Sequence, residues 1–170
     1  MIHMKTIFSV QGPYEVPCYR GKAARTITDE NIKEFWKKYP SLTKLRGCYV
    51  FGIRAAKGWT PGYIGKATKG FKQEVFSHHK LTRYQQFLAD YLKGSPVLFF
   101  IVVPTKKGAT NVSHIGELED FLIQTGVVAN PDLLNVRGTK AADWGIAGVL
   151  RGGKGKPNAA ARKFRKLMKF

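Results

Sequence analysis

Cysteine is scarce: Cys18 and Cys48 are the only two in 170 residues. Two cysteines cannot build a disulfide framework, and neither belongs to a metal-type pair. A reducing, intracellular setting is the simplest reading. Long apolar runs are also missing. The longest, Val97 to Val103, is bracketed by Pro96 and Pro104 and falls far short of a membrane span. The opening MIHMKTIFSVQGPY holds too short an apolar stretch for a secretory signal. Negative charge is in shortest supply relative to its opposite, with 11 Asp+Glu against 29 Lys+Arg and a net charge of +18. What is present, 44% hydrophobic and 12% aromatic residues, belongs to a globular chain and excludes wholesale disorder. The length suits one domain with modest extensions, and the charge excess points to a polyanionic partner rather than a membrane.

The placement of charge sharpens this. From Phe35 to Gln73 there are nine Lys or Arg, Arg54, Lys66, Lys69 and Lys72 among them, and no carboxylate. From Trp144 to Phe170 there are eight more, including Arg162 and Lys163, again with no carboxylate. Two acid-free basic stretches on one folded chain make a surface that attracts phosphates in a salt-dependent way. The segment 158–170 resembles a basic amphipathic helix but is short for a membrane-surface anchor. Its basic residues read as nucleic-acid contacts, with Phe164, Leu167 and Met168 available to dock on a core.

Coarse structure follows from pattern. Residues 4–9 and 14–19 read as two strands of a hairpin around Gln11-Gly12-Pro13. Thr28 caps a helix over 29–39, with Asp29 and Glu30 in its first turn and Pro40 beyond its end. Gly47 opens a strand, CYVFGIR; a Gly/Pro-bearing loop spans 55–61, and GYIGK follows at 62–66. Residues 71–93 repeat at helical spacing, as one helix or as two broken near Lys80. VLFFIVV has the unbroken apolarity of a central strand. Residues 114–126 make another helix, ended by Asn130-Pro131, and the tail is Gly/Lys-rich and then helical. The order implies a mixed α/β fold with a small, mainly antiparallel sheet flanked by helices.

One carboxylate stands out. On the helix SHIGELEDFLIQT, Ile115, Leu118, Phe121 and Leu122 define an apolar face, with Glu117 and Asp120 opposite. Glu119 lies about 60° from the centre of that face. A carboxylate aimed at a core costs several kcal/mol unless a cation, a metal or hydrogen bonds compensate it. It is either half of a structural ion pair or a ligand for a hard divalent cation such as Mg²⁺. Tyr49 and Tyr63 stand on the two paired strands, with Gly47 and Gly65 beside them and Lys66 adjacent. Each phenol is a core aromatic or, if nearby cations lower its pKa of about 10, a candidate base.

Gly47-Cys48-Tyr49 followed by Tyr63-Ile64-Gly65, with 13 residues between the tyrosines, resembles the signature of the GIY-YIG nucleases. Leu118-Glu119-Asp120-Phe121-Leu122-Ile123 is similar to that family's LE-x-x-LI helix, and Asn130-Pro131-Asp132-Leu133-Leu134-Asn135 to its P-x-x-x-N segment. The resemblance covers residues 47–136, leaving an N-terminal extension over 1–46 and a basic extension over 137–170. It implies a three-stranded antiparallel sheet flanked by helices and an endonuclease that hydrolyses phosphodiesters, DNA foremost, with Mg²⁺ or Mn²⁺, in the cytoplasm or on the nucleoid. Carried over, Tyr49 activates or positions the attacking water and Tyr63 helps hold water and phosphate. Glu119 binds the metal, His78 serves proton transfer or phosphate contact, and Asn135 orients its neighbours.

The chain departs from the family at one point. Where members carry an arginine four residues before the histidine, this sequence has Glu74. Glu74 either joins Glu119 as a second metal ligand, with Lys66, Lys69 or Lys72 supplying the positive charge, or marks a catalytically impaired protein that binds nucleic acid on the same fold. A nearby basic residue standing in for the arginine is the remaining reading; Arg83 serves poorly on a continuous helix, half a turn round from Glu74, and is reopened by a break near Lys80. On a continuous helix Glu74 and His78 share one face. RNA remains open beside DNA as the target.

Overall fold

The computed structural model describes residues 6–56, 58–104, 112–135, 146–149 and 155–168. In chain order the elements are β1 (Ser9–Glu15), β2 (Tyr19–Arg20), β3 (Arg25–Thr26), α1 (Asp29–Lys38), a 3-10 turn (Pro40–Leu42), β4 (Gly47–Ala55), β5 (Gly58–Ala67), α2 (Phe71–Glu74), α3 (His78–Asp90), β6 (Ser95–Val102), α4 (Val112–Ala129) and α5 (Ala159–Met168). The chain divides into two compact units, Met1–Thr139 and Lys140–Phe170. No helix among the described residues is long and apolar enough to cross a membrane.

The mixed α/β class holds, and the sheet is antiparallel, with one strand more than expected: four strands in the order β1-β6-β4-β5, beside a separate β2-β3 pair. The expected N-terminal hairpin does not form. Residues 4 and 5 lie outside the described residues, and β1 runs on through Gly12 and Pro13 to pair with β6. Proline is tolerated there because β1 is an edge strand and the register shifts between Gln11 and Tyr14. The true hairpin is β2-β3, held by buried Arg25, whose guanidinium donates to the carbonyls of Tyr91 and Gly94 just past α3. The expected loop over 55–61 is also mostly strand, since β4 and β5 pair from Gly47↔Ala67 out to Ala55↔Gly58. Pro61 fits because β5 is an edge strand and Gly62 is the extra residue of a bulge opposite Phe51 and Gly52.

Strand alternation sends Tyr49, Phe51, Ile53, Leu98 and Phe100 to one face of the sheet. There they pack with Phe35 and Trp36 of α1, Phe71 of α2, and Tyr84, Phe87 and Leu88 of α3. Cys48, Ile64 and Ile101 point the other way, against Ile115, Ile123 and Val127 of α4. Thr28 caps α1 as expected, its hydroxyl accepting from the Asn31 amide while the Asn31 side chain accepts from the Thr28 amide. In the second unit Asn158 caps α5 through the Ala161 amide at 2.7 Å. Phe164, Leu167 and Met168 on α5 are exposed.

The outer edge of β5 is closed by the segment after α4. Asn130 donates to Pro61 O at 2.7 Å, Leu134 N–H donates to Gly62 O at 2.9 Å, and the Asn135 side-chain amide accepts from Ile64 N–H at 2.9 Å while donating to Ile64 O at 2.6 Å. Asn130 is buried, and its Oδ1 also accepts from the Asp132 amide. Asn130→Ala is therefore expected to destabilise the protein by about 1–2 kcal/mol, because it leaves two part-buried backbone groups, the Pro61 carbonyl and the Asp132 amide, unpaired. Urea unfolding checks this; a midpoint within error of wild type refutes the clip as a stabilising contact.

Candidate active site

A cavity of about 210 Å³ opens where the β5 edge meets α3 and α4, lined by Tyr63, Lys66, His79, Glu119, Asp120, Ile123 and Asn135. Glu119 arrives there because the buried stripe of α4 differs from the one expected. Phe121 is 66% exposed, while Ile115, Ile123 and Val127 are buried. Glu119 stands one turn after Ile115 and one before Ile123, on the stripe itself. Its side chain is only 19% exposed, and its Oε2 meets Lys66 Nζ at 2.9 Å, the lysine being 43% exposed. An ion pair this open to water contributes at most about 1 kcal/mol. Glu119 is thus half of an ion pair, as one of its two expected readings has it, and its carboxylate also lines the cavity.

The two tyrosines part company. Tyr63 is half-buried and lines the cavity, its ring set edge-on to Tyr84 with the centroids 5.8 Å apart. Burial pushes its pKa up, Glu119 adds to the rise, and Arg83 pulls against it. Tyr49 is fully enclosed in the core, where its hydroxyl meets no well-aligned hydrogen-bond partner among the described residues but interacts with the Tyr84 hydroxyl. The neighbouring Tyr84 hydroxyl donates instead to Val75 O at 2.7 Å. Burial first, then the phenols of Tyr84 and Tyr63, hold Tyr49 well above the usual tyrosine pKa. Cations do not lower either phenol as the sequence suggested; desolvation outweighs them. Gly65 is explained by the same packing, because a Cβ there would fall 2.2 Å from Tyr49 Oη. Gly47 has φ +146° and a would-be Cβ 1.9 Å from Ile101 O, so no side chain fits where β4 starts against β6.

Residues 71–93 form two helices, and the break comes at 75–77, ahead of Lys80. Val75 and Phe76 both dive into the core there, and Ser77 re-enters α3 with extended backbone. The shared helical face expected for Glu74 and His78 is thereby lost. Glu74 Oε2 accepts from the Lys69 amide at 2.8 Å, and Glu74 does not line the cavity. His78 is exposed and its carbonyl takes the Thr82 hydroxyl at 3.1 Å; His79 is the histidine that lines the cavity. Lys69 and Lys72 are exposed. Arg54 lies over the Trp59 ring at the hairpin tip, 5.8 Å from its centroid. Arg162 and Lys163 are exposed on α5 in the second unit, Arg162 donating to Pro157 O at 2.7 Å.

The sequence reading admits Arg83 as a stand-in for the arginine only if the helix breaks, which it does; Lys80 escapes it. Lys80 Nζ sits 5.3 Å from the Tyr49 ring centroid, half-buried. Burial lowers its pKa, while the charges of Glu74 and Glu119 pull it back up. Arg83, one turn further along α3, acts on Tyr63. The signal was available: Lys80 is four residues before Tyr84, on the same stripe as Tyr84, Phe87 and Tyr91. A cation on an apolar stripe is as anomalous as Glu119. Beneath the cavity, the Cys48 thiol donates to Ile115 O at 3.3 Å, and burial with the charge of Glu119 pushes its pKa up to about 12. It stays protonated and unreactive.

For a divalent ion, the cavity supplies the Glu119 carboxylate with Asp120 beside it. Among the described residues no group of three or more His, Cys, Asp or Glu gathers as a cage. A sparse oxygen site fits Mg²⁺, which keeps waters and takes substrate oxygens, better than it fits zinc. No family model, curated protein or solved structure matches the chain.

Proposed function

We propose that this chain is a divalent-metal-dependent endonuclease that hydrolyses phosphodiester bonds in DNA. The observation that carries the reading is the convergence of Tyr63 and Lys66 from β5 with Glu119 from α4 on one open cavity. Glu119 holds Mg²⁺ or Mn²⁺ in this reading, and the bound ion polarises a phosphoryl oxygen and offsets charge as it develops. The chain's own groups divide the rest. Tyr63, protonated at neutral pH as an ordinary phenol is and kept so by the upward push of burial, holds the attacking water by hydrogen bonds. Lys66, once the phosphate competes for it, and Lys80 neutralise non-bridging oxygens, supplying charge that Glu74 cannot. His79, rather than His78, is placed for proton transfer to the leaving oxygen. Asn135 and Gly65 act indirectly, one fixing the β5 edge and the other admitting the Tyr49 ring.

The Lys66–Glu119 pair favours a second reading, a nucleic-acid-binding module in which Glu119 is only structural. Incubation of plasmid and of a matched RNA with the protein separates the two. With Mg²⁺ the endonuclease nicks and then linearises DNA, and EDTA abolishes the cutting. Salt-sensitive binding with no cutting of either polymer in Mg²⁺ or Mn²⁺ establishes the module instead, and cutting of RNA alone moves the substrate class.

A further inference from the structure

A second groove, of about 420 Å³, lies apart from the Glu119 cavity between α1 and α2, lined by Ile32, Lys33, Trp36, Lys37 and Lys72. We propose that this groove seats the sugar–phosphate backbone of a nucleic-acid strand, making α1 a second contact surface for the substrate. The proposal rests on the nucleic-acid reading above but not on catalysis.

Folding builds the groove from the two ends of the acid-free run 35–73: Lys37 comes from its start and Lys72 from its end. Lys33 and Lys37 are one helical turn apart on the same side of α1. All three lysines are exposed, and none of the carboxylates of α1, Asp29, Glu30 and Glu34, lines the groove. Asp29 and Glu30 occupy the first turn of the helix, where they favour its N-terminal dipole. The three ammonium groups are thus the charged side chains that line the groove. Between them, Ile32 and Trp36 offer an apolar surface, with the Trp36 ring held against Phe35 at 5.1 Å and Phe76 at 5.7 Å. A cationic rim over an apolar floor matches a backbone whose phosphates alternate with sugars. An acidic peptide would meet the same rim, and the test includes it.

The experiment measures binding of a fluorescent DNA duplex by anisotropy from 50 to 300 mM KCl in EDTA, so that nothing is cut. The triple variant Lys33→Ala/Lys37→Ala/Lys72→Ala is compared with wild type and with Lys22→Ala/Lys93→Ala, which removes charge elsewhere. Because the triple variant cannot neutralise the three phosphates that these lysines would meet, the slope of log K against log salt falls by about 2 to 3, and affinity at low salt falls on the order of 10–100-fold. The control pair changes the slope by less than one. A triple variant within twofold of wild type at every salt concentration overturns the proposal. So does a labelled poly-glutamate peptide that binds the groove more tightly than DNA does. Binding is read in EDTA, where nothing is cut, so loss of the groove is read separately from loss of catalysis.

Discussion

Replacing Glu119 with Gln or Ala is expected to reduce Mg²⁺-dependent plasmid cleavage by on the order of 10³ or more, while DNA binding in EDTA stays within a few-fold of wild type. The size of the effect follows from the cavity. Glu119 is the carboxylate on the buried stripe of α4, and Asp120, next in sequence, lies on the exposed side. Glu74, which could have shared the charge, spends its oxygen on the Lys69 amide. Folding should tolerate the change, because the Lys66 partner is 43% exposed and is re-solvated when the carboxylate is gone. A thermal melt guards the interpretation. Cleavage that continues unchanged in a folded Glu119→Ala protein removes Glu119 from the chemistry and with it the mechanism.

The second large effect separates two residues that the sequence treats alike. Tyr63→Phe is expected to lower the cleavage rate by roughly 10²–10³, since it deletes the hydroxyl that holds water in the cavity. Tyr49→Phe is expected to leave the rate within a few-fold of wild type. It removes a buried hydroxyl that interacts with the Tyr84 phenol, which is itself bonded to Val75 O, so stability changes by no more than about 1 kcal/mol. Single-turnover cleavage of a short duplex by both variants, beside urea melts, checks the pair. If Tyr49→Phe proves the more damaging change, the assignment of the two tyrosines is reversed.

What could be read from sequence follows the range over which each signal acts. The Thr28 cap, the unbroken apolarity of β6 and the paired strands around the two tyrosines are local patterns, and the structure places those elements where the patterns do. Glu119 was legible because a carboxylate on an apolar stripe conflicts with its surroundings. Distance in sequence hid the rest. The pairing of β1 with β6 depends on contacts some ninety residues apart, and nothing near Gly12-Pro13 distinguishes a turn from an edge strand that passes through a bulge. The break at 75–77 has no Gly or Pro to announce it. It exists because Val75 and Phe76 are both drawn into a core assembled from α1, α3 and β4. Placing that break near Lys80 rather than at 75–77 misplaced Glu74 and His78 and concealed Lys80, although its position on the Tyr84 stripe carries the same conflict as Glu119.

The closure of β5 by residues 130–135 also bears on how such a basic, aromatic-rich chain behaves at high concentration. A bare edge strand is a template on which a neighbouring molecule can lay down its own backbone. On β5 the carbonyls of Pro61 and Gly62 and both backbone groups of Ile64 are already occupied from within the chain. At the opposite edge, Pro13 interrupts β1 with a residue that has no N–H to offer. Both margins of the sheet thus resist strand-by-strand stacking of copies, and loosening the Asn130 clip would make self-association, rather than unfolding alone, the route by which the protein is lost from solution.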